Sequence, residues 1–308
     1  MRKILFARGR QLLLVILGLS TLVFFLIRLS GDPVLVIAGP DATEEQIASL
    51  TEKFGFDQPV YVQYVRFLLN LVTLDFGRSF LTGEEALGLV LSRIPASSQL
   101  AIAALSIAVV VAIPLGISAA THPGTIRARF AQWLALAGQS IPSFVLGIVL
   151  ILVFAVQIPL FPSFGNEAAW SLVLPAITLS SFIMARQLRL VQAYASEEML
   201  AGYVRTARSL GYGGFRVRYR HILRNVLVPL VSLLGIELGT IIGGAVVTEA
   251  VFAWPGLGRT MVAAVQARDY PVVQASVLVI GVFVVLINLV VDLLYQRIDP
   301  RLRVKESV

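Results

Sequence analysis

Cysteine is absent from the 308 residues, so neither a disulfide nor a thiolate metal site is open to this chain. Histidine is almost absent: His122 and His221 stand in different polar loops, and no pair falls on one helical face. There is no Gly-x4-Gly-Lys-Ser/Thr run, which excludes ATP binding in the P-loop manner. No serine carries the flanking pattern of a nucleophile elbow. Charge is scarce, at 14% of residues against 57% hydrophobic. With a mean hydropathy of +0.84, the chain falls outside the range of soluble domains and inside that of polytopic membrane proteins. The net charge of +7 is therefore an orientation signal to be read loop by loop, and no nucleic-acid partner is expected. No low-complexity segment and no internal or inverted repeat is visible.

What is present is a series of apolar runs. Arg2, Lys3, Arg8 and Arg10 precede the first, Leu12 to Ile27, which is longer than a signal-peptide core and is followed by no small-x-small cleavage site. It is read as a transmembrane helix with its N-terminus in the cytoplasm. Five further spans are expected at about 99–120, 131–158, 171–193, 228–250 and 273–295, each able to cross about 30 Å of hydrocarbon at 1.5 Å per residue. Loop 121–130 (Arg127, Arg129), loop 194–227 (six Arg, two Glu) and the tail (Arg297, Arg301, Arg303, Lys305) then fall on the cytoplasmic side. Both termini are cytoplasmic in this reading. Pro114, Pro142 and Pro175 sit in or near spans, either as kinks or as gates.

Residues 30–98 break the membrane pattern with nine acids against four cations and are placed outside. Thr43 before Glu44, Glu45 and Gln46 is a capping box for a helix reaching Phe54 and stopped by Gly55. Tyr61 to Leu74 is a second, amphipathic helix. The segment is either a packed plug over the helix ends or a landing surface for an external partner.

The polar stretch Ser196 to Pro229 organises the rest. Ser196 is read as the N-cap of a short helix, with Glu197 and Glu198 at its positive end, Arg205 and Arg208 near its negative end and Gly211 as C′ residue. Leu200, Tyr203, Val204, Ala207 and Leu210 recur at helical spacing, so one face wants cover. Either it lies on anionic headgroups or it enters a groove on a soluble partner. The run Tyr203-Val204-Arg205-Thr206-Ala207-Arg208, with Gly211, Arg220-His221, Leu223-Arg224-Asn225 and Pro229, resembles the cytoplasmic coupling loop of ABC-transporter permeases of the dipeptide, oligopeptide and nickel importer family. Arg205 and Thr206 replace the Glu and first Ala of the generic loop, and only Ala207 and Gly211 fit it cleanly. The substituted form matches the peptide branch. Phe56 to Tyr64, Asp75 to Phe80, Ile141 to Phe144, Glu249 to Arg259 and Arg268 to Gln274 are similar to the same family, and the likeness runs from Gly31-Asp32-Pro33 to Asp299-Pro300-Arg301.

The resemblance implies an all-α integral membrane protein with the type I ABC importer permease fold: six transmembrane helices and an external helical insertion between the first two. Its parts would be 1–29 (N-terminus and first helix), 30–98 (external), 99–295 (transmembrane core with coupling loop 194–227) and 296–308 (cytoplasmic tail). It implies a prokaryotic inner-membrane subunit without catalysis of its own. A second homologous permease, two ABC ATPases carrying ATP and Mg, and an external substrate-binding protein would be its partners. Tyr203, Arg205, Thr206, Ala207, Arg208 and Gly211 would couple to the ATPase. Short peptides are the first substrate expectation, with glutathione-like peptides or nickel and metal chelates as alternatives. An autonomous ion-coupled secondary transporter is the alternative of another class.

Three further sets of residues stand out. Gly235, Gly239 and Gly243 form a small-residue stripe for close helix approach, either within the chain or to the second permease. Glu237 points away from that stripe near mid-membrane, where an acid costs on the order of 3 kcal/mol. With Gly244 and Thr248 it either lines the pathway or makes a structural hydrogen bond between helices. Trp254, Pro255 and Gly256 lie in an expected external loop, as a gate or as interfacial anchors.

Overall fold

A computed structural model describes residues 2–29, 34, 38, 39 and 42–298. Gly31-Asp32-Pro33, the expected cytoplasmic tail beyond residue 298 and the Asp299-Pro300-Arg301 likeness lie outside them. Among the described residues regular structure is helical, apart from one isolated bridge between Arg78 and Glu85. Among these residues five helices are long and apolar enough to span a membrane, or six if one bent helix pair is counted as a single span.

By Cα proximity the chain divides into two compact units, Met1–Ala96 with Pro255–Leu286 and Ser97–Trp254 with Ile287–Val308. In the first, α1 (Arg2–Leu29) is followed by α2 (Glu44–Phe54), α3 (Val60–Thr73) and α4 (Ala86–Leu91). The expected capping box is formed: Gln46 N donates to Thr43 Oγ1 at 3.3 Å and Thr43 N to Gln46 Oε1 at 3.0 Å. Gly55 closes α2 in the left-handed region at φ 69. Helix α3 packs on α1 through Tyr64 and Phe67, whose rings lie 5.0 and 5.3 Å from that of buried Phe24. Thr21 and Tyr64 share a 2.7 Å hydroxyl hydrogen bond. The outward face of α3 presents Tyr61, Val65, Leu69 and Val72.

The second unit is built around α8 (Val173–Glu198), its most covered helix. Against it lie α6 (Ile126–Ser140), α7 (Ser143–Ile151, continued by a π turn to Gln157) and α10 (Leu223–Val251), while α5 (Ile94–Thr121) contributes Gly116, facing Val191. The stretch expected as one span at 131–158 is not a straight helix: α6 and α7 meet at 108°. Pro142 forces its predecessor out of the helical region, and Ile141 is extended at φ −90, ψ 120. By contrast Pro114 and Pro229 are accommodated inside α5 and α10. The run expected as an external loop around Trp254 is short. Helix α10 extends to Val251, and α11 (Leu257–Gln266) begins just beyond Gly256, ahead of α12 (Tyr270–Ile298).

Candidate functional site

The polar stretch contains a short helix, but not where the capping pattern placed it. Ser196, Glu197 and Glu198 are the last turn of α8, and Ser196 Oγ bonds back to the Gln192 carbonyl at 2.8 Å. A Ser hydroxyl serves a helix interior that way as readily as an N-cap. The short helix is α9, Gly202–Ser209, led in by Ala201 without a side-chain cap. It stops as expected: Gly211 is left-handed at φ 78, and Tyr212 N donates to the Ala207 carbonyl at 3.1 Å.

The two sides of α9 do different things. Val204 and Ala207 are buried in a cluster with Ile117 of α5, Val191 and Ala195 of α8, and Val226 and Leu230 of α10. Ala207 therefore packs inward and offers no surface to another protein, contrary to its expected place in a partner contact. Leu200 and Leu210 are 75% and 68% exposed, and Arg205, Thr206 and Arg208 are exposed beside them. At the base, the Tyr203 hydroxyl donates to Glu198 Oε2, and Asn225 Nδ2 donates to that same oxygen at 2.8 Å and to the Tyr203 oxygen at 3.1 Å. Partial burial, then the bond to the Glu198 carboxylate, push the Tyr203 phenol up to about 12. The triad ties α9 to the ends of both α8 and α10.

Glu237 is the central residue of α10 and is 1% exposed. It meets α8: Gln187 Nε2 donates to its Oε2 at 2.9 Å, and Arg186 Nε lies 3.9 Å from its Oε1. Of the two readings of Glu237, the interhelical hydrogen bond is the one observed, and its carboxylate does not line an open surface. Arg186 and Gln187 do not stand out in the sequence, where Glu237 is the conspicuous mid-span acid. The signal was available: a charge of opposite sign inside another span. An Arg at mid-span costs about 2.5–3.5 kcal/mol on insertion scales, so it too demands a partner. Thr248 is buried and bonds the Gly244 carbonyl at 3.5 Å, whereas Gly244 is exposed.

The glycine stripe is likewise divided. Gly235 is buried, a Cβ on Gly239 would meet Asn288 of the chain's own α12 at 3.2 Å, and Gly243 has nothing within 4 Å. Trp254 is 2% exposed, and its backbone N–H donates to the Glu249 carbonyl at 2.9 Å, so it is neither a surface anchor nor a free flap. Pro255 and Gly256 lead into α11, with Gly256 as its N-cap residue. Among the described residues no group of three His, Cys, Asp or Glu is placed to hold a metal ion.

A bundle of apolar spans with one short amphipathic helix held across the ends of three of them is the architecture of a multi-pass membrane transport subunit. Residues 112–304 match the family model of the binding-protein-dependent transport system inner membrane component, and residues 1–101 match its N-terminal counterpart. The chain belongs to that family and is a permease subunit of an ABC importer, as the loop residues implied. It is 38% identical over 287 residues to the glutathione transport system permease protein GsiC of Escherichia coli K12, covering 93% of this chain and 94% of that one. The Salmonella paratyphi A protein of the same name is 36% identical over 291 residues, covering 94% and 95%. In three dimensions the chain is similar to the inward-facing MetNI methionine ABC transporter, with a TM-score of 0.53 at 22% identity over 68% of this chain and 96% of that one. The fold is that of a type I importer permease.

Proposed function

We propose that this subunit forms half of an ATP-driven pathway for short peptides, with both termini in the cytoplasm. A second permease, two ATPases and an external binding protein complete the assembly. ATP and Mg belong to the ATPases, and this chain does no covalent chemistry. The observation that carries the reading is the seating of α9. Its inward residues Val204 and Ala207 are locked into the ends of α5, α8 and α10, while Leu200, Arg205, Thr206, Arg208 and Leu210 stand free to enter a groove on an ATPase. Close-packed interiors transmit displacement, so a push on α9 moves three spanning helices together. Gly211 sets where that lever ends.

Within the peptide class, glutathione-like substrates are favoured by the relatives, which are glutathione transport system permeases by name. Co-purification in mild detergent tests the assembly. A P-loop ATPase should accompany the wild-type chain and be released, or hydrolyse ATP without transport, when Leu210→Asp is introduced. Uptake driven by an ion gradient and indifferent to that substitution would instead establish a secondary transporter.

A further inference from the structure

We infer that α8 carries an anion-binding station inside the translocation pathway, with Arg186 and Arg189 as its cations and the carboxylate groups of the transported peptide as its ligand. The inference rests on the peptide reading for the identity of the cargo, but not for the existence of the station.

Helix α8 is covered almost all round, with Ile183, Met184, Ala185, Gln187, Leu188 and Val191 buried. Between Thr178 and Ala193 one stripe is left open: Phe182, Arg189 and Ala193 are exposed, and the Arg186 side chain is 38% exposed between them. These four recur at i, i+4, i+7 and i+11 and so share a face. Arg186 lies about 18 Å before Glu198 at the helix end, and it touches the middle residue of α10, so this face is at membrane depth. Hydrocarbon would be a hostile neighbour for two guanidinium groups one turn apart. A water-filled pathway is not.

The way Arg186 is held says which part of it is offered. Its Nε lies 3.9 Å from Glu237 Oε1, and no hydrogen bond to its terminal amino groups exists among the described residues. The ring of Phe182 lies 5.8 Å from its guanidinium carbon and flanks it. Glu237 is in turn fixed through its other carboxylate oxygen by buried Gln187. The acid thus acts as an internal counter-ion that orients Arg186, whose outer edge is free to take a carboxylate side-on. Arg189 has no partner of its own among the described residues and adds a second positive charge along the same stripe. The cations set the polarity: the pathway meets the negative end of a peptide.

The lack of cysteine makes the test direct. In the assembled transporter, Phe182→Cys is reacted with anionic and cationic methanethiosulfonates, nucleotide-free and with ATP, each rate normalised to that of a free thiol. The anionic reagent should be favoured about tenfold. That preference should fall towards unity in Arg189→Gln, which leaves the Glu237 contact intact, and in the paired Arg186→Gln, Glu237→Gln variant. Trialanine should slow the anionic labelling more than its C-terminal amide does. A thiol that is unreactive in both states overturns the inference, because the stripe then faces lipid or protein. A preference unchanged by removing the arginines overturns it equally, as does equal protection by the free acid and the amide. Wild-type transporter that takes up no peptide, yet keeps the anionic preference, would sink the peptide reading and leave the station standing.

Discussion

A methyl group placed on Gly138 would lie 2.6 Å from the carbonyl oxygen of Ser181, closer than any real contact allows, so α6 and α8 approach through bare backbone at this point. Backbone cannot yield as a flexible side chain can. Gly138→Ala should therefore separate the two helices at a cost of about 1–3 kcal/mol. Gly243→Ala, with open space around it on α10, should be neutral or stabilising by up to about 1 kcal/mol. Thermal unfolding of the two purified variants by size-exclusion recovery checks the contrast, and equal midpoints would show that the close approach contributes nothing.

Gly243 carries a second expectation, because the stripe to which it belongs is not satisfied within the chain along its whole length. Asn288 already covers Gly239, which leaves Gly243 as the member free for a second permease. Gly243→Leu should leave the isolated subunit as stable as the wild type while reducing recovery of the two-permease complex. Normal assembly by that variant would assign the stripe to packing within the chain alone.

Glu237 and Arg186 make opposite demands on a substitution. Replacing Glu237 by Ala strips the carboxylate that faces Arg186 Nε and leaves the Gln187 amide donor buried without an acceptor. A loss of about 1–3 kcal/mol in stability follows. Glu237→Gln keeps an acceptor for Gln187 and should retain more of the stability, with Gln187→Leu, Glu237→Leu closer to wild type than Glu237→Ala. The order of the three melting temperatures checks whether hydrogen-bond satisfaction governs this layer.

Much of this is readable in the sequence, and the reason is local. Thr43 and Gln46 satisfy each other across three residues, so the start of α2 is written in four letters. Gly211 stops α9 because only its own backbone freedom is involved. Ser196 misled because a hydroxyl immediately before a pair of acids fits an N-cap and a helix end equally, and the choice depends on what α8 packs against. The same holds for Ala207: helical spacing shows which residues share a face, but not whether the chain covers that face itself. The 108° turn at Ile141 was signalled by Pro142, yet Pro114 and Pro229 give the same signal and sit within continuous helices. Arg186 could be seen only by pairing two spans.

Asp269 ties two remote parts of the first unit together. Its Oδ2 accepts from Ser79 Oγ at 2.5 Å and its Oδ1 from the Phe80 N–H at 3.1 Å, and Asp269 itself is 2% exposed. Those bonds hold the turn from Asp75 to Glu85 on the start of α12, next to a cavity of about 300 Å³ lined by Thr82, Arg93 and Arg259. Asp269→Ala should cost about 1–3 kcal/mol and free that turn for cleavage. Limited proteolysis, followed by mass spectrometry, should find new cuts near Leu81 to Gly83. An unchanged digest would mean that the hydrophobic cluster around Phe76 and Val90 holds the turn without help.

The triad at the base of α9 supplies a prediction with a sign in pH. Tyr203 ionises near 12 in the folded protein against an ordinary value of 10, so folding favours the neutral, hydrogen-donating phenol. Stability from this group is complete below about pH 10 and drains away as pH rises from there through about 12. Neutral pH leaves it fully formed. Tyr203→Phe removes the donor to Glu198 but keeps the ring, so it should loosen α9 without unfolding the spans. In the assembled transporter, ATP hydrolysis should continue while transport per ATP falls. The absorbance titration of the wild type minus that of Tyr203→Phe should show one phenol, late by about two pH units, out of the eight in the chain. A difference curve centred near 10 would show that the Glu198 contact does not hold in solution, and with it would go the argument that α9 is pinned to α8 and α10 through this hydroxyl.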